Sequence, residues 1–167
     1  MHRAIIFGAA ALATAGALAS GAASQPDGVA RVRATDTITL RIQYRSGAWL
    51  KALSLPLNRQ HLKEFKVCGV WNWPAGKKFT CNGAGPSLPE RTLLRMEQTP
   101  VARAQRRPES PGWGLVGMGS DPVLRVPLSN EVTADKWGTF YYRATLRDLS
   151  GKVLLTSNKV KLVWHRP

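Results

Sequence analysis

Polar and apolar residues alternate with period two near both ends of this 167-residue chain. Ile38, Leu40, Ile42 and Tyr44 occupy even positions, while Thr37, Thr39, Arg41, Gln43 and Arg45 occupy odd ones. Alternation rich in β-branched residues predicts a half-buried strand with its polar face outward. Arg31 and Arg33 extend the odd face ahead of a break at Asp36. Ser46-Gly47 ends the strand, and residues 48–55, with Trp49, predict a second one. Towards the C-terminus, Phe140, Tyr142, Ala144 and Leu146 alternate with Tyr141, Arg143, Thr145 and Arg147. Residues 148–151 read as a turn, and residues 153–155 with Val160, Leu162 and Trp164 predict the return along the sheet.

Between these ends the pattern is less regular. Residues 58–65 predict a helix of one or two turns, with Asn58 as cap and Leu62 and Phe65 as its apolar pair. Residues 65–81 predict a hairpin turning at Pro74-Ala75-Gly76, where proline fixes φ and glycine accepts a positive one. A two-residue loop at Pro74-Ala75 places Cys68 directly opposite Cys81; a three-residue loop turns the two sulfurs to opposite faces unless a bulge intervenes. Residues 82–127 hold seven of the eleven prolines, so only brief strands are expected there. These are 92–96, where a short helix is the alternative and the flanks favour a strand, with 113–118 and 123–128, the last two at sheet edges, where proline is tolerated. Residues 103–112 read as an exposed basic loop. Many short strands separated by turns predict an all-β fold, an antiparallel sandwich or barrel.

The first residues read as an address. Met1-His2-Arg3 is a short positive start, and residues 4–18 form an apolar run of small residues. Ala17-Leu18-Ala19 or Gly21-Ala22-Ala23 supplies a signal-peptidase site, so cleavage is expected after Ala19 or Ala23. The run is shorter than the roughly 20 residues a spanning helix needs. The expected organisation is a signal peptide over 1–23 and one secreted domain over 24–167. Composition agrees, with 44% hydrophobic and 20% charged residues, which is globular and not disordered. The length excludes a two-domain enzyme or an eightfold α/β barrel. Lys and Arg number 24 against 10 Asp and Glu, a formal charge of +14. Such an excess draws the protein towards polyanions, although the same charge also serves solubility alone. An oxidising compartment favours pairing the two cysteines, Cys68 and Cys81. The disulfide would contribute roughly 3 kcal/mol through chain entropy.

The stretch Leu128-Ser-Asn-Glu-Val-Thr-Ala-Asp135-Lys-Trp-Gly138-Thr-Phe-Tyr-Tyr142 resembles the E–F corner and F strand of immunoglobulin-like domains. Residues 148–151, then Ser157-Asn158 and 160–164, are similar to that family's F–G turn and G strand. Phe79-Thr80-Cys81, followed by Gly85-Pro86, looks like a B strand leading towards C. The resemblance, carried mainly by residues 128–164, implies an immunoglobulin-like β-sandwich. The F-strand cysteine is replaced by Tyr142 or Ala144, and Leu93 and Leu94 fall where the family places a tryptophan. The resemblance therefore implies a local partner, Cys68, for Cys81.

Candidate chemistry is sparse. Gly112-Trp113-Gly114-Leu115-Val116-Gly117 formally matches a dinucleotide-binding glycine motif. Prolines precede it, and Gly119 and Pro122 break any following helix, so it reads as a glycine-rich edge strand. No cofactor or metal site is expected. Ser120 reads as part of a turn. Two basic constellations stand out. Arg143, Arg147, Lys159 and Lys161, with Tyr141, fall on the outward face of the C-terminal ribbon, and Arg103, Arg106 and Arg107 lie near Arg91 and Arg95. Trp71, Trp73, Lys77 and Lys78 would form an aromatic and basic hairpin tip suited to a single-stranded nucleic acid or an anionic glycan. A structural role competes at each patch, since tryptophans in sandwiches are usually core and outward charge blocks edge aggregation. The reading is a secreted, non-enzymatic binding or accessory module for an acidic protein or anionic envelope polymer. One alternative is a polyanion-binding protein proper, for wall polymer or extracellular nucleic acid. The other is a small secreted hydrolase using His61 or His165.

Overall fold

The computed structural model describes residues 31–56, 65–82, 86–100, 111–127 and 137–166. The expected leader, the helix of 58–65 apart from Phe65, residues 103–110 of the basic loop and most of the E–F corner lie outside them. Nine strands run in chain order: β1 (Ile38–Tyr44), β2 (Ala52–Pro56), β3 (Phe65–Trp71), β4 (Thr92–Thr99), β5 (Gly114–Gly119), β6 (Val123–Pro127), β7 (Gly138–Asp148), β8 (Val153–Thr156) and β9 (Val160–His165). They form two sheets, one of order β1-β3-β6 and one of order β2-β9-β7-β4-β5, with β8 also on β7. The described residues include no helix.

The alternating segments become strands with the expected faces. Ile38, Leu40 and Ile42 of β1 are buried, as are Phe140, Tyr142, Ala144 and Leu146 of β7 and Val160, Leu162 and Trp164 of β9. Together with Phe65, Val67, Trp71, Leu94, Met96 and Val126 they form one core between the sheets. Burying a large apolar side chain contributes about 1.5–3 kcal/mol. Strands β5 and β6 occupy sheet edges, as their prolines and glycines predict.

Four expectations need correction. The strand predicted over 48–55 begins only at Ala52, and Trp49 precedes it. That strand pairs in parallel with β9, so the larger sheet is mixed and not purely antiparallel. Phe79-Thr80-Cys81 is not a strand. Nor do residues 65–81 make a hairpin, because both edges of β3 are taken, by β1 on one side and β6 on the other. The turn itself forms, with the Lys77 amide donating to the Pro74 carbonyl at 3.4 Å and Gly76 at φ 79°. Residues 72–82, which include this turn, lie over the outer face of β3 as a strap, and Cys68 and Cys81 are joined there by a disulfide with Cα atoms 6.1 Å apart.

Glycine sets the spacing of the layers at two places. Gly69 of β3 lies so close to β7 that a Cβ on it would fall 3.3 Å from Ala144 Cβ. Gly117 of β5 abuts β6, where an added Cβ would fall 2.6 Å from Val126 Cγ2. The second contact gives the glycine-rich segment a packing role. Between the sheets, the Asn158 side chain accepts from the Leu40 amide at 2.9 Å and donates to the Leu40 carbonyl at 3.1 Å. Leu50 exchanges a pair of backbone hydrogen bonds with Ile42 on β1. Since cores tolerate added volume poorly, Gly69→Val is expected to lower stability by about 1–3 kcal/mol in urea unfolding. An unchanged midpoint would contradict the close approach.

Candidate functional site

The structure divides the anticipated basic residues into neutralised and unpaired sets. On the larger sheet, β4 and β7 run antiparallel with Glu97 opposite Arg143. The Glu97 carboxylate accepts from Arg143 Nε at 2.7 Å and from Arg147 Nη2 at 2.8 Å. Arg147 is only 1% exposed and also donates to the Gly151 carbonyl and Thr145 Oγ1. Arg143 is half-buried, with its guanidinium 4.1 Å from the centre of the Trp113 ring, and Lys159 approaches the same ring at 5.6 Å. Of the expected cationic face, Arg143 and Arg147 thus form a structural network, while Lys159 and Lys161 are exposed. Parity assigns Arg147 to the outer face, but that face is covered there. Sequence reasoning misses Glu97, whose signal is an acid within a strand-forming run, where acids such as Asp148 elsewhere mark turns.

The tryptophan tip is divided in the same way. Trp71 is 2% exposed and belongs to the core, so it cannot present itself to a partner. Trp73 lies on the strap, packs against Phe79 with ring centres 5.3 Å apart, and donates its indole N–H to the Lys77 carbonyl at 3.2 Å. Lys77 and Lys78 are exposed beside it.

The strap creates a second surface that the sequence does not indicate. Even-numbered Cys68 and Val70 of β3 point away from the main core and, with Cys81, form a small cluster flanked by Trp49, Trp73, Phe79 and Val123. Around it the outward side chains of the three-stranded sheet include Arg41, Lys66 and Arg125. Register places Arg41 and Arg125 on either side of Cys68. Arg41 lies over the Phe79 ring at 5.7 Å, and Arg125 Nη2 donates to Asn82 Oδ1 at 3.3 Å. Among the described residues, none of Arg41, Lys66, Lys77, Lys78 and Arg125 forms an ion pair. A hollow of about 320 Å³ opens here, lined by Gln43, Trp49, Lys66, Thr80, Cys81, Asn82 and Arg125. A wider hollow of about 550 Å³ spans residues 118–125, where Asp121 shares the lining with Arg125.

His165, at the end of β9, is exposed and meets Ser54 Oγ of β2 through its Nε2. Neither of these two hollows is lined by His165 or Ser54, and His61 lies outside the described residues. Among the described residues, no group of three His, Cys, Asp or Glu side chains converges to hold a metal ion. Buried Tyr142 has its hydroxyl pushed well above the ordinary tyrosine range by desolvation. No protein-family profile, curated protein or solved structure matches this chain.

The charged groups can be tested at two positions. Glu97→Gln leaves Arg147 buried without its counter-charge, and breaking a buried pair from one side costs about 3–5 kcal/mol. A loss of that order is expected in chemical denaturation, whereas a change below about 1 kcal/mol would mean the network is solvated. At the β7–β8 turn, Asp148 Oδ1 accepts from the Ser150 hydroxyl at 2.6 Å and from the Ser150 and Lys152 amides at 2.9 and 3.0 Å. The Ser150 hydroxyl, foremost, holds this carboxyl below its usual range. A pKa lowered by folding stabilises fully above the unfolded value of about 3.9 and is lost as pH falls through the folded one. Ser150→Ala is therefore expected to raise the Asp148 titration midpoint, read from its carboxyl carbon by NMR.

Proposed function

We propose that this protein is a secreted, non-enzymatic immunoglobulin-like module that holds an acidic partner, an anionic envelope polymer, against the outer face of its three-stranded sheet. The observation that carries the reading is the set of cations on that face and its strap, Arg41, Lys66, Lys77, Lys78 and Arg125, none of which meets a carboxylate among the described residues. On the larger sheet Arg143 and Arg147 are paired with Glu97, which leaves Lys159 and Lys161 as the exposed cations of the C-terminal ribbon. The cations are spread over three adjacent strands and the strap, an arrangement suited to repeated negative charge along a chain. An acidic protein and extracellular nucleic acid are the alternative partners.

The immunoglobulin-like assignment draws support from strand order. β1-β3-β6 follows the order A-B-E, and β9-β7-β4-β5 follows G-F-C-C′. In that correspondence β3 is the B strand, and the contact of Gly69 with Ala144 stands where family members bridge B and F by a disulfide. Secretion draws support from the apolar leader and from the Cys68–Cys81 disulfide, which persists best in an oxidising compartment. The Ser54–His165 pair lies on an exposed sheet edge, a poor setting for excluding water from a reaction.

Binding of the processed protein to polygalacturonate and to duplex DNA tests the reading. Affinity for a bound polyanion is expected to fall steeply between about 50 and 200 mM salt. Replacing Lys77 and Lys78 together by glutamine is expected to flatten that salt dependence by roughly one unit of log–log slope for each lysine that meets a polymer anion. Binding that ignores salt, or no binding to either polymer, would refute it.

A further inference from the structure

The hollow beside the disulfide has the chemistry of a site for one ligand unit, and not only of a charged surface. Resting on the function proposed above, we infer that it seats a single sugar ring bearing an oxyanion, with the oxyanion held by Lys66 and Arg125 and the ring placed against Trp49. Among the described residues its lining holds two cations, one tryptophan, three neutral polar side chains and no carboxylate. A volume of about 320 Å³ lies at the small end of ligand pockets, which run from about 300 to 1,000 Å³. That suits one monosaccharide. The opposite charge sign is disfavoured, because an ammonium ligand would meet Lys66 and Arg125 with no acid among the described lining residues to offset them.

The walls are fixed by interactions already present in the protein. Gln43 stands opposite Lys66 in the β1–β3 register, and its side-chain amide donates to the Gly47 carbonyl, tying down the turn that leads to Trp49. Trp49 packs edge-on against Phe79 of the strap, with ring centres 5.5 Å apart and planes at 73°. Asn82, next to Cys81, holds one guanidinium nitrogen of Arg125. The disulfide joins β3 to the strap and so keeps the two walls together. Side chains positioned before the ligand arrives lose less freedom on binding, which favours affinity. Thr80, Asn82 and Gln43 provide hydroxyl and amide groups at the rim for sugar hydroxyls. A carboxylate and a phosphate would both satisfy Lys66 and Arg125, and a bidentate fit to the guanidinium favours either over a neutral hydroxyl.

The test titrates the processed protein with galacturonate, galactose 6-phosphate and galactose, following backbone and indole N–H signals by NMR. Galacturonate, galactose 6-phosphate or both are expected to shift Trp49, Thr80 and Asn82 signals at millimolar concentration, while galactose leaves them in place. The response to the two anions decides between carboxylate and phosphate. Lys66→Met and Arg125→Met alter exposed residues and are each expected to weaken the anionic sugar about tenfold, as removal of a charge-assisted hydrogen bond would. Trp49→Phe is expected to weaken it less, and Lys152→Gln, remote from the hollow, not at all. The inference fails if neither anion shifts these signals, if galactose shifts them equally, or if Lys66→Met and Arg125→Met bind as the parent does. In those cases salt-dependent binding of polygalacturonate would leave the broader function standing. Anionic-sugar shifts without polymer binding would support the site while overturning the polymer reading.

Discussion

β3 is covered on both sides, and much of the architecture answers that requirement. As the middle strand of a three-stranded sheet it turns Phe65, Val67, Gly69 and Trp71 towards the core and Cys68 and Val70 the other way. No second sheet covers Cys68 and Val70, so apolar surface would be left in water unless something lies over it. The strap of residues 72–82 supplies that cover, and the disulfide prevents it from lifting away. On the inner side, Gly69 lets β7 approach at Ala144. A bulky residue at position 69 would push the layers apart and loosen the packing of Leu40 and Met96, the next nearest neighbours.

The same arrangement moves the accessible charge. Glu97 gathers Arg143 and Arg147 into a buried network on the larger sheet. Such a network adds little net stability relative to an apolar replacement, yet it is costly to break from one side. It removes two cations from the surface that alternation alone assigns to solvent. On the smaller sheet the strap leaves Lys66 and Arg125 exposed around an aromatic hollow. Lys159 and Lys161 stay exposed on the larger sheet, but only the smaller one sets its cations beside a hollow that holds a tryptophan, and the proposed function is placed there.

Local patterns make the strands and their faces legible, because a two-residue period fixes which side chains share a side. Ile38 to Ile42 and Phe140 to Leu146 show this directly. The disulfide is legible for a different reason, as two cysteines in a chain that opens like an exported one. What local pattern does not contain is the identity of each strand's neighbours. The turn at Pro74 and Gly76 is real, but β6, which begins only at Val123, holds the edge that a hairpin partner would need. Trp71 falls inside for the same reason, as a β3 residue on the core-facing parity. Arg147 shows the complementary limit, since parity gives a direction and not the presence of water. The hollow around Trp49 is not legible, since it brings together three stretches far apart in sequence: β1 with the turn after it, β3 with its strap, and β6.

The Asn158 amide also guards a border of the fold. β1 uses one edge to pair with β3, which leaves the backbone groups of Leu40 and Ile42 directed the opposite way. Asn158 occupies those of Leu40 and Leu50 those of Ile42. An open strand border is a template on which another molecule can add its own backbone. With both places filled from within the same chain, self-assembly along this border is obstructed, and neighbouring copies find no free backbone there to extend.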